Sequence, residues 1–280
     1  MSGAQGGTIG VVGLGLIGGS LCRALSRVGH CVLGVDNDPR VVSAAIESGA
    51  VAQAGAEPEL LARAETVFIA LYPHETIEFV RKNAAVFRRG AVVIDCCGVK
   101  EPVCGALFAQ AETSGFTFMG GHPMAGIERS GFEASSADLF EGASFLLVPG
   151  AAQEETVREA ESLILSAGFA RVVRTTPQEH DRMIAYTSQL PHVLACAYVM
   201  SPCCPRHDGF SAGSFRDVSR VAHLSADMWA QLFIDNRAPL CAELDTLIAN
   251  IEKIRDAAGA GDVRQLQALL AEACRIKDSV

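Results

Sequence analysis

The stretch Thr8–Ser20, TIGVVGLGLIGGS, sets the glycine series Gly13, Gly15 and Gly18 between a β-branched apolar run and a segment with helical spacing. In such a series the first glycine permits a tight strand-to-helix turn, and the second lets backbone N–H groups approach a pyrophosphate. The third lets the helix pack closely on the strand, so that its positive end faces the anion. The stretch therefore predicts a dinucleotide site, with a purely structural glycine turn as the alternative.

A second apolar run, CVLGVDNDP, ends in Asp36, some eighteen residues beyond Gly18. A carboxylate at this place can accept hydrogen bonds from the ribose diol of adenosine and would repel a 2′-phosphate. Asp38 adds a second negative charge nearby, so the pattern predicts NAD rather than NADP. Further cofactor contacts are expected from Leu16, Ile17, Tyr72, Pro73 and Gly98.

The composition excludes several classes of partner. A net charge of −9 and a pI near 5.3 argue against nucleic acid or an anionic membrane as partner. No apolar window is long enough to span a bilayer, and the N-terminal MSGAQGG lacks a signal pattern, so a cytoplasmic protein is expected. The ten cysteines include no C-x-x-C pair and lie mostly in apolar runs, as Cys22, Cys31, Cys196 and Cys274 do. Buried free thiols and no bound metal are expected.

Residues 1–175 alternate apolar strands with helical stretches, which predicts an α/β Rossmann-type domain that binds NAD. Strands are predicted at Ile9–Val12, Val32–Val35, Thr66–Ala70, Val92–Asp95, Thr117–Gly120, Phe145–Pro149 and Ala170–Arg174. Helices are predicted at Gly18–Val28, Asp38–Ser48, Pro58–Ala62, Glu75–Arg88, Pro102–Thr113 and Glu154–Ala167.

Residues 176–280 contain no convincing strand and instead carry long amphipathic runs. Helices are predicted at Gln178–Met200, Ala226–Ala257 and Asp262–Ile276, with a loop rich in proline and glycine at Ser201–Ser214. The wide apolar faces of these helices predict an all-α C-terminal domain that self-associates.

His122 follows the predicted strand Thr117–Gly120, in the glycine-flanked sequence GGHPMAG. Polar residues just beyond the strands of a Rossmann sheet lie next to the cofactor, so we expect His122 on a loop above the nicotinamide. A neutral imidazole there can accept the proton of a substrate hydroxyl as hydride leaves the same carbon. A packed, structural histidine is the alternative.

The motifs GLGLIGGS, the strand-end D-x-x-x-x-K of Asp95 and Lys100, GGHPMAG, TSQLPH and SFRDVSRVA resemble those of the prephenate and arogenate dehydrogenases of tyrosine biosynthesis. The resemblance runs from Thr8 to about residue 250. It implies oxidative decarboxylation of a cyclohexadienyl substrate with NAD as hydride acceptor. It also implies a dimer joined through the helical domain.

The resemblance assigns roles to single residues. It implies that His122 polarises the substrate's 4-hydroxyl, that Arg220 holds a substrate carboxylate, and that His192 lies near the substrate side chain. Arg216, one helical turn before Arg220, is the rival anchor. A surface ion pair and a core histidine are the structural alternatives for Arg220 and His192.

At Gly98 the chain departs from the family, which commonly has a serine there. The role of that serine passes to water, to a neighbour such as Cys97, or to nothing. Lys100 either orients the loop or helps to neutralise the phosphates of the cofactor.

Other interpretations stay open at this stage. The chain could be a β-hydroxyacid-type or imine-reducing dehydrogenase, or a non-catalytic sensor of NAD, although neither explains HPMAG and QLPH together. The residues do not choose between prephenate and arogenate. The chain ends at Val280 without a βαββαβ-like extension, so feedback control at a separate site is not expected.

Overall fold

A computed structural model of the protein describes residues 7–280. Eight strands form one sheet in the order β3-β2-β1-β4-β5-β6-β7-β8. The strands are β1 (Thr8–Val12), β2 (Cys31–Val35), β3 (Gln53–Gly55), β4 (Thr66–Ile69), β5 (Val92–Asp95), β6 (Thr117–Pro123), β7 (Ser144–Val148) and β8 (Arg171–Arg174).

Eleven α-helices are described within the same residues. They are α1 (Leu16–Arg27), α2 (Pro39–Glu47), α3 (Pro73–Asn83), α4 (Glu101–Ser114), α5 (Glu154–Ser166), α6 (Pro177–Ile184), α7 (Leu190–Val199), α8 (Gly213–Ser219), α9 (Ala226–Asp235), α10 (Arg237–Gly259) and α11 (Val263–Lys277). A π-helical turn, Ala185–Gln189, joins α6 to α7.

Strands β1 to β6 are parallel, and the winding reverses between β1 and its neighbour β4. Such a reversal leaves a crevice at the carboxyl ends of the strands, which is where doubly wound sheets bind dinucleotides. β7 is antiparallel to β6 because the chain returns through a loop rather than through a crossover helix. The predicted α/β Rossmann-type fold is confirmed.

Apolar side chains from both faces of the sheet form two clusters. Along β4, Phe68 belongs to one cluster, whereas Val67 and Ile69 belong to the other. Since neighbouring residues of a strand point to opposite faces, the sheet is covered on both sides. Helices α1 and α5 contribute to the first cluster, and α3 and α4 to the second.

The chain divides into two compact units. The first contains the sheet with its helices up to Ile184, and also His223–Asp235, which includes α9. The second contains Ala185–Ala222 and Asn236–Val280 and is helical, with α7, α8, α10 and α11. The predicted helical C-terminal part is confirmed. No helix within residues 7–280 is long and apolar enough to cross a membrane.

Some predicted elements were wrong in detail. The helix predicted at Ala226–Ala257 is two helices, because the backbone leaves helical geometry at Asn236 (φ −113°, ψ 26°). The amide of that buried residue donates to Gln189 Oε1 at 2.8 Å, a contact that no local pattern reveals. The stretch Pro58–Arg63 is a 3₁₀ helix rather than an α-helix. β3 and α8 were not predicted, since three and seven residues are too few for a clear period.

The ten cysteines are all free thiols. Cys22 is buried as expected and Cys196 is half-buried, but Cys31 and Cys274 are exposed. Their apolar runs misled the prediction because Cys31 opens β2 at the surface and Cys274 lies on α11, which has no buried residue in the isolated chain.

Candidate active site

The glycine series forms the turn between β1 and α1. Gly13 has a φ of +79°, and a Cβ on it would lie 2.5 Å from the carbonyl oxygen of Ala70, so only glycine fits. A Cβ on Gly18 would overlap the carbonyl oxygen of Gly13, which is the close packing that the third glycine permits. A Cβ on Gly15 would meet no atom within 4 Å, leaving open space over the turn.

Leu16 and Ile17 form the first turn of α1, whose N-terminus has no side-chain cap. The N–H groups of a first helical turn lack partners within the helix and attract an anion. The turn therefore offers donors and open space where a dinucleotide pyrophosphate would need them. These residues fit NAD.

Asp36 follows β2 and is held by the backbone. One carboxylate oxygen accepts from the N–H of Leu14 at 2.8 Å and the other from the N–H of Asp38 at 2.9 Å. Each oxygen keeps a further lone pair for a ribose hydroxyl. Asp36 is half-buried at the carboxyl end of its strand, the place that the sequence predicts for the ribose-binding carboxylate.

Asp38 does not supply the second free negative charge that the sequence suggests. Its side chain accepts from the N–H of Arg40 at the start of α2 and pairs with the Arg40 guanidinium at 2.8 Å. The Arg40 side-chain hydrogen bond lowers the pKa of Asp38 to about 2. The charge of Asp38 is thus largely balanced, which leaves Asp36 as the carboxylate predicted to discriminate against a 2′-phosphate.

The other expected cofactor residues follow the next strands of the sheet. Tyr72 precedes α3 and is exposed, and Pro73 is the first residue of that helix. Gly98 lies between β5 and α4, where a Cβ would sit 3.4 Å from Leu232, an ordinary contact. The site thus has room for a side chain at Gly98. Their contact with the cofactor stays a prediction.

His122 is part of β6 rather than of a loop. The strand continues to Pro123 because β7 pairs with it, and His122 stands opposite Leu146. The glycines that suggested a loop instead allow close packing, since a Cβ on Gly121 would overlap the carbonyl oxygen of Asp95. A strand holds the imidazole more rigidly than a loop does.

The ring of His122 is half-buried, and its Nδ1 lies 2.9 Å from Nε2 of His180. Burial lowers the pKa of His122 well below its ordinary value, and the neighbouring His180 and the charge of Lys100 lower it further. The imidazole is therefore neutral at physiological pH. A neutral ring can accept a proton.

Lys100 is fully buried and pairs with Asp95, so it does not reach the phosphates of a cofactor. The same carboxylate accepts from the N–H of Cys97 at 2.9 Å and from that of Gly121 at 3.2 Å. Asp95, paired with Lys100, therefore joins the end of β5 to β6 at Gly121, the residue before His122. The structure therefore supports a role for Lys100 in orienting the loop between β5 and α4 rather than in neutralising cofactor phosphates.

Cys97 does not replace the missing serine. Its thiol is buried and lies 3.3 Å from the hydroxyl of Thr76 and 3.5 Å from the carbonyl oxygen of Leu71. Burial raises the pKa of this thiol well above its ordinary value. Cys97 is thus a neutral packing residue.

His192 and Arg220 lie in the second unit, and His122 lies in the first. His192 is on the first turn of α7, where its Nδ1 donates to the carbonyl oxygen of Ser188 at 2.7 Å. Arg220 directly follows α8 and is exposed, as is Arg216 within that helix. Their roles toward a substrate stay predictions.

His180 and Asp181 belong to the site although no sequence motif indicates them. Both are buried on α6, and His180 Nδ1 lies 2.7 Å from Asp181 Oδ1. A charged or polar pair at neighbouring positions near a helix start usually faces solvent, so the sequence gives little sign of this burial. The contact of His180 with His122 spans 58 residues of chain, which no local pattern reports.

Comparisons with known proteins identify the family of the chain. Residues 21–173 match the nucleotide-binding domain of prephenate dehydrogenase, and residues 176–272 match its dimerization domain. A prephenate dehydrogenase of Bacillus subtilis is 31% identical over 257 residues, which cover 89% of this chain and 69% of that protein.

Two solved structures resemble the whole chain. The arogenate dehydrogenase of Synechocystis has a TM-score of 0.83 and 26% identity, over 97% of this chain and 99% of that one. The prephenate dehydrogenase of A. aeolicus, solved with hydroxyphenyl propionate and NAD+, has a TM-score of 0.86 and 25% identity, over 99% of both chains. With both domains matched in order and a relative above 30% identity, the chain belongs to the prephenate dehydrogenase family.

Proposed function

We propose that the chain catalyses the NAD-dependent oxidative decarboxylation of a cyclohexadienyl substrate in tyrosine biosynthesis. Prephenate would give 4-hydroxyphenylpyruvate, and arogenate would give tyrosine. The observation that carries the proposal is a neutral His122, held in β6 of a sheet with a dinucleotide turn, in a chain that matches both domains of the family. A non-catalytic sensor of NAD would not need such a histidine.

The cofactor is NAD, which accepts a hydride when bound. The turn after β1 and the first turn of α1 would hold its pyrophosphate, and Asp36 would accept the ribose hydroxyls. The A. aeolicus enzyme, which shares the fold over the full chain, was solved with NAD+.

His122 accepts the hydrogen bond of the substrate's 4-hydroxyl. As the proton moves toward the imidazole, electron density rises on the oxygen, and the hydride leaves C4 more easily. Departure of the ring carboxylate as CO2 returns an electron pair to the ring, which becomes aromatic, and the proton returns to the phenolic oxygen. The loss of CO2 and the gain of aromaticity make the reaction essentially irreversible.

Arg220 and His192 are proposed to bind the carboxylate and side chain of the substrate. Prephenate is a dianion and the protein carries a net charge of −9, so a local cation is needed. A guanidinium can hold a carboxylate through two parallel hydrogen bonds. Arg216 remains the rival anchor.

Prephenate is the substrate to test first, because the Bacillus subtilis relative is a prephenate dehydrogenase. Arogenate is the second, because the Synechocystis neighbour is an arogenate dehydrogenase. The dimerization domain and the exposed apolar residues of α10 and α11 support a homodimer. A cytoplasmic location stays a prediction.

The test follows NADH absorbance after prephenate, arogenate or a β-hydroxyacid is added to the protein with NAD. We expect turnover of one or both cyclohexadienyl substrates and none of the β-hydroxyacid. His122→Asn should lower kcat by about a hundredfold, the scale for losing a positioned base, and should leave NAD affinity unchanged. Turnover of the β-hydroxyacid alone, or of no substrate by protein that binds NAD, would contradict the proposal.

A further inference from the structure

Three side chains form a continuous hydrogen-bonded line from β6 to the start of α4. His122 Nδ1 lies 2.9 Å from His180 Nε2, and His180 Nδ1 lies 2.7 Å from Asp181 Oδ1. His180 and Asp181 are each 1% exposed. In a buried line of this kind, each hydrogen has to lie between a donor and an acceptor, so the proton positions can be worked out from one end.

Asp181 determines which nitrogen of His180 carries a hydrogen. Its Oδ1 accepts from the N–H of Lys100 at 2.7 Å, and its Oδ2 accepts from the N–H of Glu101 at 2.8 Å. Backbone N–H groups only donate, so both oxygens must present lone pairs, which favours the carboxylate form. A carboxylate cannot donate to His180, and therefore Nδ1 of His180 carries a hydrogen.

His180 in turn determines which nitrogen of His122 carries a hydrogen. Burial lowers the pKa of His180 despite the carboxylate beside it, so the ring is neutral and carries one hydrogen, on Nδ1. Its Nε2 then holds a lone pair that faces His122. Because a lone pair requires a donor opposite, Nδ1 of His122 carries its hydrogen, and Nε2 of His122 is the acceptor.

The opposite arrangement is unfavourable. A hydrogen on Nε2 of His180 would leave its Nδ1 lone pair against the Asp181 carboxylate, 2.7 Å away in a buried site. Two facing acceptors in a buried site cost more than an ordinary hydrogen bond contributes. The Asp181 carboxylate therefore determines which atom donates in each hydrogen bond of the line.

We propose that His180 and Asp181 are positioning residues that hold His122 in the tautomer whose Nε2 accepts the proton of the substrate hydroxyl. The proposal rests on the proposed role of His122 as proton acceptor. In the step, the hydroxyl O–H bond lengthens and an Nε2–H bond begins to form as hydride leaves C4 for NAD. The Nδ1 hydrogen of His122 stays on its bond to His180, and the proton returns to oxygen when CO2 departs.

The charges around the line favour this neutral resting state. Lys100, paired with Asp95, lowers the pKa of both histidines, whereas Asp181 and Asp95 raise that of His180. Positive charge therefore forms on His122 only as the substrate gives up its proton. Asp181, one ring away, then stabilises that charge.

The first experiment observes the tautomer directly and needs no turnover. Nitrogen-15 NMR of the imidazole rings at neutral pH, with His122→Asn and His180→Asn spectra for assignment, should show hydrogen on Nδ1 of His122 and of His180. A hydrogen on Nε2 of His122 would overturn the proposal. Since this spectrum does not depend on substrate, it separates failure of the proposal from failure of the proposed function.

The second experiment compares variants at Asp181. In Asp181→Asn a single oxygen has to serve the positions that two oxygens occupy. That oxygen is expected at the Oδ1 position, where Lys100 N–H and His180 Nδ1 both donate, so that the new NH2 group faces the N–H of Glu101. The His122 hydrogen should then stay on Nδ1, but the negative charge that stabilises a protonated His122 is lost. We expect kcat to fall by about tenfold or more, with KM and NAD affinity little changed. An unchanged kcat, or a His122 hydrogen found on Nε2, would contradict the proposal.

Variants at His180 distinguish the role of its Nε2, which faces His122, from that of its Nδ1, which faces Asp181. Gln reaches as far as Nε2 and can offer an oxygen to His122, whereas Asn reaches only Nδ1 and bonds Asp181 alone. His180→Gln should therefore retain at least about tenfold more kcat than His180→Asn. Equal kcat values in the two folded variants would argue against an acceptor role.

Thr176→Ala is the matched structural control. The Thr176 hydroxyl accepts from Glu179 N–H at 3.2 Å at the start of α6, the helix that carries both positioning residues, and it does not contact the line. This variant should lower the melting temperature without changing the His122 tautomer or kcat. A loss of kcat in Thr176→Ala as large as that in His180→Asn would mean that helix stability alone is at work. If a histidine variant does not fold, the wild-type spectrum decides.

Discussion

The lowered pKa of His122 predicts how the activity depends on pH. Burial and the nearby charges hold the pKa of His122 well below its ordinary value of about 6.5. The neutral, proton-accepting form is therefore kept as pH falls to 6.5 and is lost only below that value. We expect the acid limb of kcat to lie below pH about 6.5. A limb at or above that value would show that another group controls the rate.

Asp36 is predicted to set the preference for NAD over NADP. Its carboxylate is held by the N–H groups of Leu14 and Asp38, and a 2′-phosphate would meet it as a like charge. We expect kcat/KM to be far higher with NAD than with NADP, and the gap to narrow in Asp36→Ala. Steady-state kinetics with both cofactors measure this, and equal values for the wild type would contradict it.

Arg220 is expected to bind a substrate carboxylate in the ground state and the transition state alike. Arg220→Ala should therefore raise KM by on the order of tenfold to a hundredfold and lower kcat less, since each charge-assisted hydrogen bond contributes about 1.5–3 kcal/mol. Arg220→Lys should recover only part of the lost substrate affinity, because an ammonium lacks the planar guanidinium geometry that donates two parallel hydrogen bonds. Arg216→Ala is the control, and a KM defect found there instead would move the anchor by one helical turn.

Single residues could be predicted from sequence where their roles follow from short-range geometry. The positive φ of Gly13 and the place of Asp36 after a strand depend on neighbouring residues, so their patterns are visible in the chain. The buried pair of Lys100 and Asp95, and the contact of His180 with His122, depend on elements brought together by folding. The sequence therefore leaves a phosphate contact open for Lys100 and shows no sign of His180.

At the scale of elements, the approach of β6 to β5 positions His122. A Cβ on Gly121 would overlap the carbonyl oxygen of Asp95 and press on Ile94 and Phe145. Gly121→Ala should therefore lower the free energy of unfolding by about 1–3 kcal/mol or more, as overpacking does, and reduce kcat by displacing the neighbouring histidine. Denaturant unfolding and steady-state kinetics measure the two effects.

Gly105→Ala is the matched control for that substitution. Gly105 is exposed within α4, and a Cβ there would meet no atom within 4 Å. This variant should raise the free energy of unfolding by about 0.5–1 kcal/mol, because alanine favours the helix. Similar losses of unfolding free energy in Gly121→Ala and Gly105→Ala would show that the strain is not located at β6.

Long elements with a clear period were predicted well, and their ends were not. The strand β6 extends over His122 only because β7 pairs with it, and the break at Asn236 depends on a hydrogen bond to Gln189. The antiparallel direction of β7 follows from the path of the chain after Pro123. Such features depend on partners distant in sequence, so a local period cannot show them.

At the scale of the whole molecule, the helical unit carries apolar residues that the single chain leaves exposed. Ile248, Ile251 and Ile254 recur every third residue along α10 and are 52%, 48% and 42% exposed. A contiguous apolar stripe of this kind favours self-association. Light scattering should report twice the chain mass of 29.5 kDa. An active monomer at assay dilution would contradict the homodimer.

A pair of substitutions locates the interface. Ile251→Glu should shift the protein toward monomer, because a carboxylate on the buried face of an interface loses its water. Ile46 on α2 is 47% exposed, nearly as much as Ile251, but lies in the first unit. Ile46→Glu should leave the mass unchanged, and dissociation by both variants, or by Ile46→Glu alone, would place the interface elsewhere.

The first unit is not a continuous piece of chain, and this affects how the protein is made. Its last segment, His223–Asp235, follows 38 residues of the second unit, and it brings Leu232 to Gly98 and Asp235 to His74 at 3.1 Å. A ribosome adds about 5–20 residues per second, so the sheet emerges several seconds before the helix that completes it. During that interval the nascent sheet lacks the contact of Leu232 at Gly98 and the contact of Asp235 with His74.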